Sequence, residues 1–286
     1  MCVCLGPARL SNTTLYVGEA IREGRLVHVL GYQNTAQNLA SAATNVPTGT
    51  LAGNAMILPF PAAAPMGKDN VLDTSGCKNI LKDIAEAVKP KSRSFSKGFG
   101  SDAVSFGSVV EVFDTGIYTV VLARDPRDIP AALARVPVEK RPDLKPEIFA
   151  AYAEWYPGWQ IALCCFNNAE AVEADPLLWW YEPAFPNVYF APTLDSHTGG
   201  VPDPMAEVEL DHTIAVGSSV GKGSPIAYSD KLSDDIRNLL PRFGVGREFS
   251  EYEVNGDFVF FKSDAEGGMF RPRRNAPNEN PAITLP

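Results

Sequence analysis

The sequence predicts an α+β fold: mainly antiparallel β-sheet with several short helices, rich in loops and proline. Three observations predict it. Short apolar runs of strand length recur along the chain, bounded by Gly, Asn, Asp or Pro. Four other stretches carry helical periodicity. The 24 prolines are spread throughout and cluster in PFPAAAP (59–65), EPAFP (182–186), PTLDSHTGGVPDP (192–204) and the C-terminal tail. Those clusters argue against helix interiors and central strands.

The strands follow in order. Residues 13–17 and 24–30 flank a turn at Arg22-Glu23-Gly24 and predict a β-hairpin. Residues 55–60, AMILPF, predict a short buried strand ending at a proline. Residues 104–113 and 116–122 predict a second pair around Asp114-Thr115-Gly116, and QIALCCF (160–166) an apolar strand closed by Asn167-Asn168. Residues 177–181, 188–190, 206–216 and 257–262 complete the set. Short turns between neighbours predict largely antiparallel pairing. Helices are predicted at 78–88, with Thr74 or Ser75 as cap, at 128–136, at 145–155, and at 230–240 near Ser229 or Ser233. KPKSRSFSKGFGS (89–101) is basic, rich in Ser and Gly, and expected to be mobile. There is no internal repeat. The expected division is a main domain over 1–222, a C-terminal helix–strand lobe over 223–266 packed on it, and a tail over 267–286 with Arg271, Arg273 and Arg274.

Composition bounds the function. The 286 residues hold 45% hydrophobic and 21% charged side chains, enough for a sizeable core. A net charge of -9 argues against general binding to nucleic acid or anionic membranes. No apolar run approaches the roughly 20 residues of a membrane-spanning helix. MCVCLGPARLSNTT has no basic leader followed by an apolar stretch, so a secretory signal is not expected. Five cysteines, an odd number, suit reduced thiols in the cytoplasm.

Several groups are candidates for chemistry. Two of the three histidines fall within 194–213, as Asp195-Ser196-His197-Thr198 and Asp211-His212-Thr213. Asp195, His197 and His212, with Asp203, could hold a divalent metal. The alternative is a turn made by Asp195 leading into a strand, on which adjacent Asp211 and His212 point to opposite faces. Removal of Met1 would leave Cys2 with a free α-amine beside its thiol, the arrangement of N-terminal-nucleophile hydrolases, where the amine serves as base. Cys164 and Cys165 are either small core residues or, with Cys2 and Cys4, metal ligands. Trp155, Trp159, Trp179 and Trp180 form either a ligand platform or a core layer. GSSVGKGS (217–224) resembles a phosphate loop but departs from it, because glycine follows Lys222 and no clear helix comes after.

The order of segments also resembles a known group. A cysteine-containing start leads to a hairpin ending VHVLGYQNTAQN, then to GNAMILPFPA, TGIYTVVLARDP and YPGWQIALCCFNN. This is similar to an uncharacterised bacterial family, domain of unknown function 2330, over about the first two thirds of the chain. Its members carry a signal peptide, from which this N-terminus departs. The resemblance implies α+β architecture and assigns no activity. The functional expectation is a soluble intracellular binding or assembly protein, with a protein partner or self-association. The alternative is a hydrolase using Cys2 or a metal near Asp195, His197 and His212.

Overall fold

The computed structural model describes residues 3–5, 8–38, 53–89, 110–167, 172–196, 198–277 and 279. The fold is α+β with mostly antiparallel sheet, as predicted. The first half holds β1 (Val3–Cys4), β2 (Ala8–Arg22), β3 (Arg25–Asn38), β4 (Asn54–Phe60), α1 (Ile80–Val88), β5 (Val110–Thr115), β6 (Tyr118–Ala123), α2 (Ile129–Ala132) and α3 (Pro146–Trp155). Next come β7 (Gln160–Phe166), β8 (Val172–Glu173), β9 (Leu177–Tyr181), β10 (Val188–Ala191), β11 (Glu207–Glu209), β12 (His212–Ser218) and β13 (Ser224–Pro225). The chain closes with α4 (Asp234–Leu239), β14 (Phe243–Glu248), β15 (Tyr252–Val254), β16 (Asp257–Phe261), α5 (Lys262–Glu266) and β17 (Arg273–Asn275).

Two large sheets build the body. One has the order β1-β4-β7-β6-β5; the other runs β13-β14-β12-β2-β3-β8, with β9 also on β3. β10, β16 and β17 form a three-stranded sheet, and β11 pairs with β15 alone. Among the described strand pairs, β12 on β2 is the parallel one. Residues 223–266 are thus woven into the sheets, since β14 pairs with β12 and β16 with β10.

Alternation along the strands sorts side chains into three layers of core. Leu15, Val17, Leu30 and Ile214 from the larger sheet meet Met56, Leu58, Val120 and Cys164 from the other in a central layer. The opposite face of the five-stranded sheet carries Ile57, Val121, Ile161 and Cys165 against Ile148, Phe149 and Tyr152 of α3. The opposite face of the larger sheet carries Tyr16, Val29 and Ala215 against Ile80, Ile84 and Val88 of α1 and Ile236 and Leu239 of α4. Both β4 and β7 are therefore covered on both faces, which is why their sequences are unbroken apolar runs.

Local signals were met unevenly. The hairpin turn is Glu23-Gly24, both at positive φ (52° and 75°), the geometry of a type I′ turn. Ser233 caps α4, its Oγ accepting from the Ile236 N–H at 3.4 Å. For α1 the expected cap is replaced: Asn79 occupies the position without a side-chain cap bond, while Thr74 Oγ1 donates to the Pro176 carbonyl at 2.6 Å. β4 continues through Pro59 to Phe60. Its second edge is covered by β1 only at Met56 and Ile57, so Pro59 lies where β4 is locally an edge strand. Of the basic stretch 89–101, residues 90–101 lie outside the described residues.

Candidate functional site

Of the predicted site residues, Cys2 and His197 lie outside the described residues. Asp195 is part of a staple. Its N–H donates to Asn255 Oδ1 at 2.8 Å, and Asn255 Nδ2 donates to the carbonyls of Asp195 and Asp203 at 2.8 and 3.0 Å. Two residues on, Asp257 Oδ1 accepts from the N–H groups of Thr193 and Leu194, and Oδ2 from the Tyr156 hydroxyl at 2.6 Å. Burial pushes the Asp257 carboxyl up from 3.8 to about 6, against those three bonds and the Arg274 charge, which pull it down. Asn255 and Asp257 were not among the predicted site residues. The Asn255-Gly256 pair is a turn signal that marks the place but not the role.

Val3 bridges Ser196, and the Cys4 N–H donates to the Ser196 carbonyl at 2.8 Å, so the start of the chain runs alongside the Asp195 segment. His212 opens β12 with its side chain fully buried, and the neighbouring Asp211, 42% exposed, does not turn wholly to the opposite face: its Oδ1 lies 3.5 Å from His212 Nδ1. Among the described residues no three His, Cys, Asp or Glu side chains are placed to share a metal ion.

The other candidates disperse. Trp179 is buried in the central layer, Trp155 and Trp159 belong to the layer under α3, and Trp180 packs at the edge of the α1 layer beneath the Arg22 guanidinium. Cys4, Cys77, Cys164 and Cys165 are buried, and none of these four forms a disulfide among the described residues. Cys164 and Cys165 face opposite layers, and burial pushes the Cys165 thiol up to about 12. In 217–224 the chain leaves β12 through a turn with Gly221 and Gly223 at positive φ and enters β13, not a helix.

Two features collect surface and polar groups instead. The first is the β11–β15 ribbon. Glu207 stands opposite Val254 and Glu209 opposite Tyr252, so these four side chains share one face. Met205, at the near end of β11, is 82% exposed, Tyr252 68% and Val254 48%.

The second is a cleft at the end of β2. β12 pairs with β2 from Thr13 to Val17, then the strands part: β2 runs on to Arg22 beside β3, while Gly217 and Ser218 stay with β14. A cavity of about 700 Å³ opens between them and α4. Glu19 and Ser218 line it on one side, Leu239, Leu240 and Pro241 on the other. Glu19 Oε1 pairs with Lys262 Nζ at 2.7 Å, and its side chain is 8% exposed. Glu19 Oε2, Ser218 Oγ and the Tyr16 hydroxyl are buried with no hydrogen-bond partner. Tyr16 passes beneath two glycines: a Cβ at Gly18 or Gly217 would fall 2.3 or 2.8 Å from its oxygen. On the Glu19 face, His28 is its cross-strand partner and packs edge-on against Tyr181 and Tyr189.

No family model matches the chain, and no curated protein matches it. Among solved structures it is similar to the crystal structure of baculovirus P35, at 13% identity and a TM-score of 0.45, over 92% of this chain and 92% of that one. It is also similar to a mutated baculovirus P35 after caspase cleavage, at 13% identity and a TM-score of 0.37, over 73% of this chain and 67% of that one.

Proposed function

We propose that this chain is a soluble intracellular protein that acts by binding another protein, through the face of the β11–β15 ribbon. The observation that carries the reading is the grouping of Met205, Tyr252 and Val254, all well exposed, beside Glu207 and Glu209. Contiguous exposed apolar groups rimmed by polar ones mark interaction surfaces. Aromatic and Met side chains supply large contact area. Arg247 lies within 3.0 and 3.6 Å of Glu251 and Glu253, which leaves Glu207 and Glu209 as the acids on the apolar face. The partner surface that fits is an apolar socket rimmed by Lys or Arg. Four buried cysteines outside any disulfide support a reducing compartment, and no helix among the described residues is long and apolar enough to cross a membrane.

A photo-crosslinking residue at position 252, compared with one at exposed Lys231, tests this in the source cell. The expected result is one dominant adduct from position 252 only, whose purified partner binds the chain directly, more weakly with added salt, and not the Tyr252→Ser/Val254→Thr variant. Identical adducts from both positions, an adduct only with a second copy of this chain, or unchanged binding by the variant would overturn it.

A further inference from the structure

We propose that the split between β2 and β12 receives an extended peptide segment of another protein as an added strand, with a hydrogen-bond-donating side chain, lysine foremost, turned onto Glu19 and Ser218. The proposal stands apart from the ribbon surface and uses none of its residues.

The backbone supplies the first part. Arg22 and Arg25 close the two-residue Glu23-Gly24 turn and exchange their bonds within the hairpin. By alternation, Arg22, Ala20 and Gly18 bond toward β3, while Glu19 and Ile21 turn their N–H and C=O groups to the other side. That is the side β12 abandons after Val17. An unpaired strand edge is a template for another strand. Here it borders a cavity of about 700 Å³, the scale of a ligand site.

The side chains supply the second part. A strand laid in the split alternates its residues between two walls. One wall is apolar, with Leu239, Leu240 and Pro241. The other carries Glu19 and Ser218; Glu19 Oε2 and Ser218 Oγ lie just beneath its surface without a hydrogen bond, with the Tyr189 hydroxyl and Lys262 beside the same carboxylate. A carboxylate oxygen only accepts, so the group that satisfies it must donate. The charged groups around the cleft are mixed: Glu23 and Asp235 are acidic, and Arg22, Arg237 and Arg242 basic. Arg22 lies over the Trp180 ring with its Nε buried and unpartnered, and Arg237 donates to the Leu232 carbonyl. An acidic side chain at this position would meet the Glu19 carboxylate.

The probe is acetyl-Val-Thr-Val-Lys-Val-Thr-Val-amide, titrated into the full chain while backbone amide shifts are followed by NMR. Saturable shifts are expected at Glu19, Ile21 and 217–219. The same peptide N-methylated on alternate residues should lose binding, and the version with Glu for Lys should bind about tenfold more weakly or worse. Glu19→Gln should erase that Lys-over-Glu preference. If that variant fails to fold, the peptide series on the unaltered chain decides alone. No saturable shift, shifts centred elsewhere, or equal binding by the N-methylated peptide would each sink the proposal.

Discussion

Glu19 and His28 face each other directly across the β2–β3 hairpin, and Glu19 takes its ion pair from Lys262, 2.7 Å away, not from the imidazole. Burial lowers the His28 pKa from 6.5 to about 4; the Pro186 carbonyl and Glu19 pull the other way and lose. The folded ring is neutral, so between those values the unfolded chain binds the extra proton. Stability from this group is complete above pH 6.5 and is lost as pH falls toward 4, by up to about 3 kcal/mol. His28→Phe keeps the edge-on packing with Tyr181 and Tyr189 and should remove that slope. Urea midpoints of both proteins across the window check it; equal slopes would refute the assignment.

Asp257 predicts the opposite sign. Its folded pKa is raised from 3.8 to about 6 by burial, so the folded chain binds the extra proton in between. Its contribution is present below about pH 4 and is lost as pH rises through 6, again by about 3 kcal/mol. Asp257→Asn should keep the Thr193 and Leu194 bonds through its carbonyl oxygen and remove this slope. The difference between variant and parent, measured by urea unfolding at several pH values, isolates it from other carboxylates.

At the hairpin tip, Glu23 holds φ of 52° in a turn that favours Asn or Gly there. Glu23→Asn should raise stability by about 0.5 kcal/mol, seen as a higher Tm. A lower Tm would mean that the Glu23 side chain contributes more than its backbone strain costs.

Gly246 lies where β14 passes under α1. A Cβ there would sit 2.4 Å from the Ile214 carbonyl oxygen and 2.8 Å from Val88 Cγ2. Gly246→Ala should therefore cost roughly 1–3 kcal/mol. Gly76, whose Cβ would meet nothing within 4 Å, is the control. Gly76→Ala should change stability by about 0.5 kcal/mol or less.

The same glycine shows where sequence reading stopped. FGVGRE has too few β-formers and too little alternation to announce a strand. Yet β14 is a full partner of β12, because small residues let α1 approach. By contrast QIALCCF and LLWWY matched β7 and β9 to the residue, since burial on both faces leaves apolar runs that nothing else explains. The span expected as one strand over 206–216 breaks at Leu210 and Asp211. Its first part pairs with β15 and its second joins β2, a switch of partners that local pattern does not encode. The site was less legible than the fold. Asp195 and His212 stood out as residue types, but their neighbours are set by Asn255 and by Thr13, both remote in sequence. The cleft was invisible, because it exists only where two distant strands diverge.

That parallel pairing also orders events during synthesis. The β2–β3 hairpin is complete once residue 38 has been made, but residues 13–17 receive their second partner only when 212–216 emerge. For most of translation the long hairpin carries a bare edge along Thr13 to Val17, with Leu15, Tyr16 and Val17 destined for burial. Such an edge invites pairing with the wrong strand, and contacts of this separation form slowly. The nascent chain is therefore most vulnerable to misassociation between those two moments, and premature termination upstream of β12 leaves the hairpin unshielded for good.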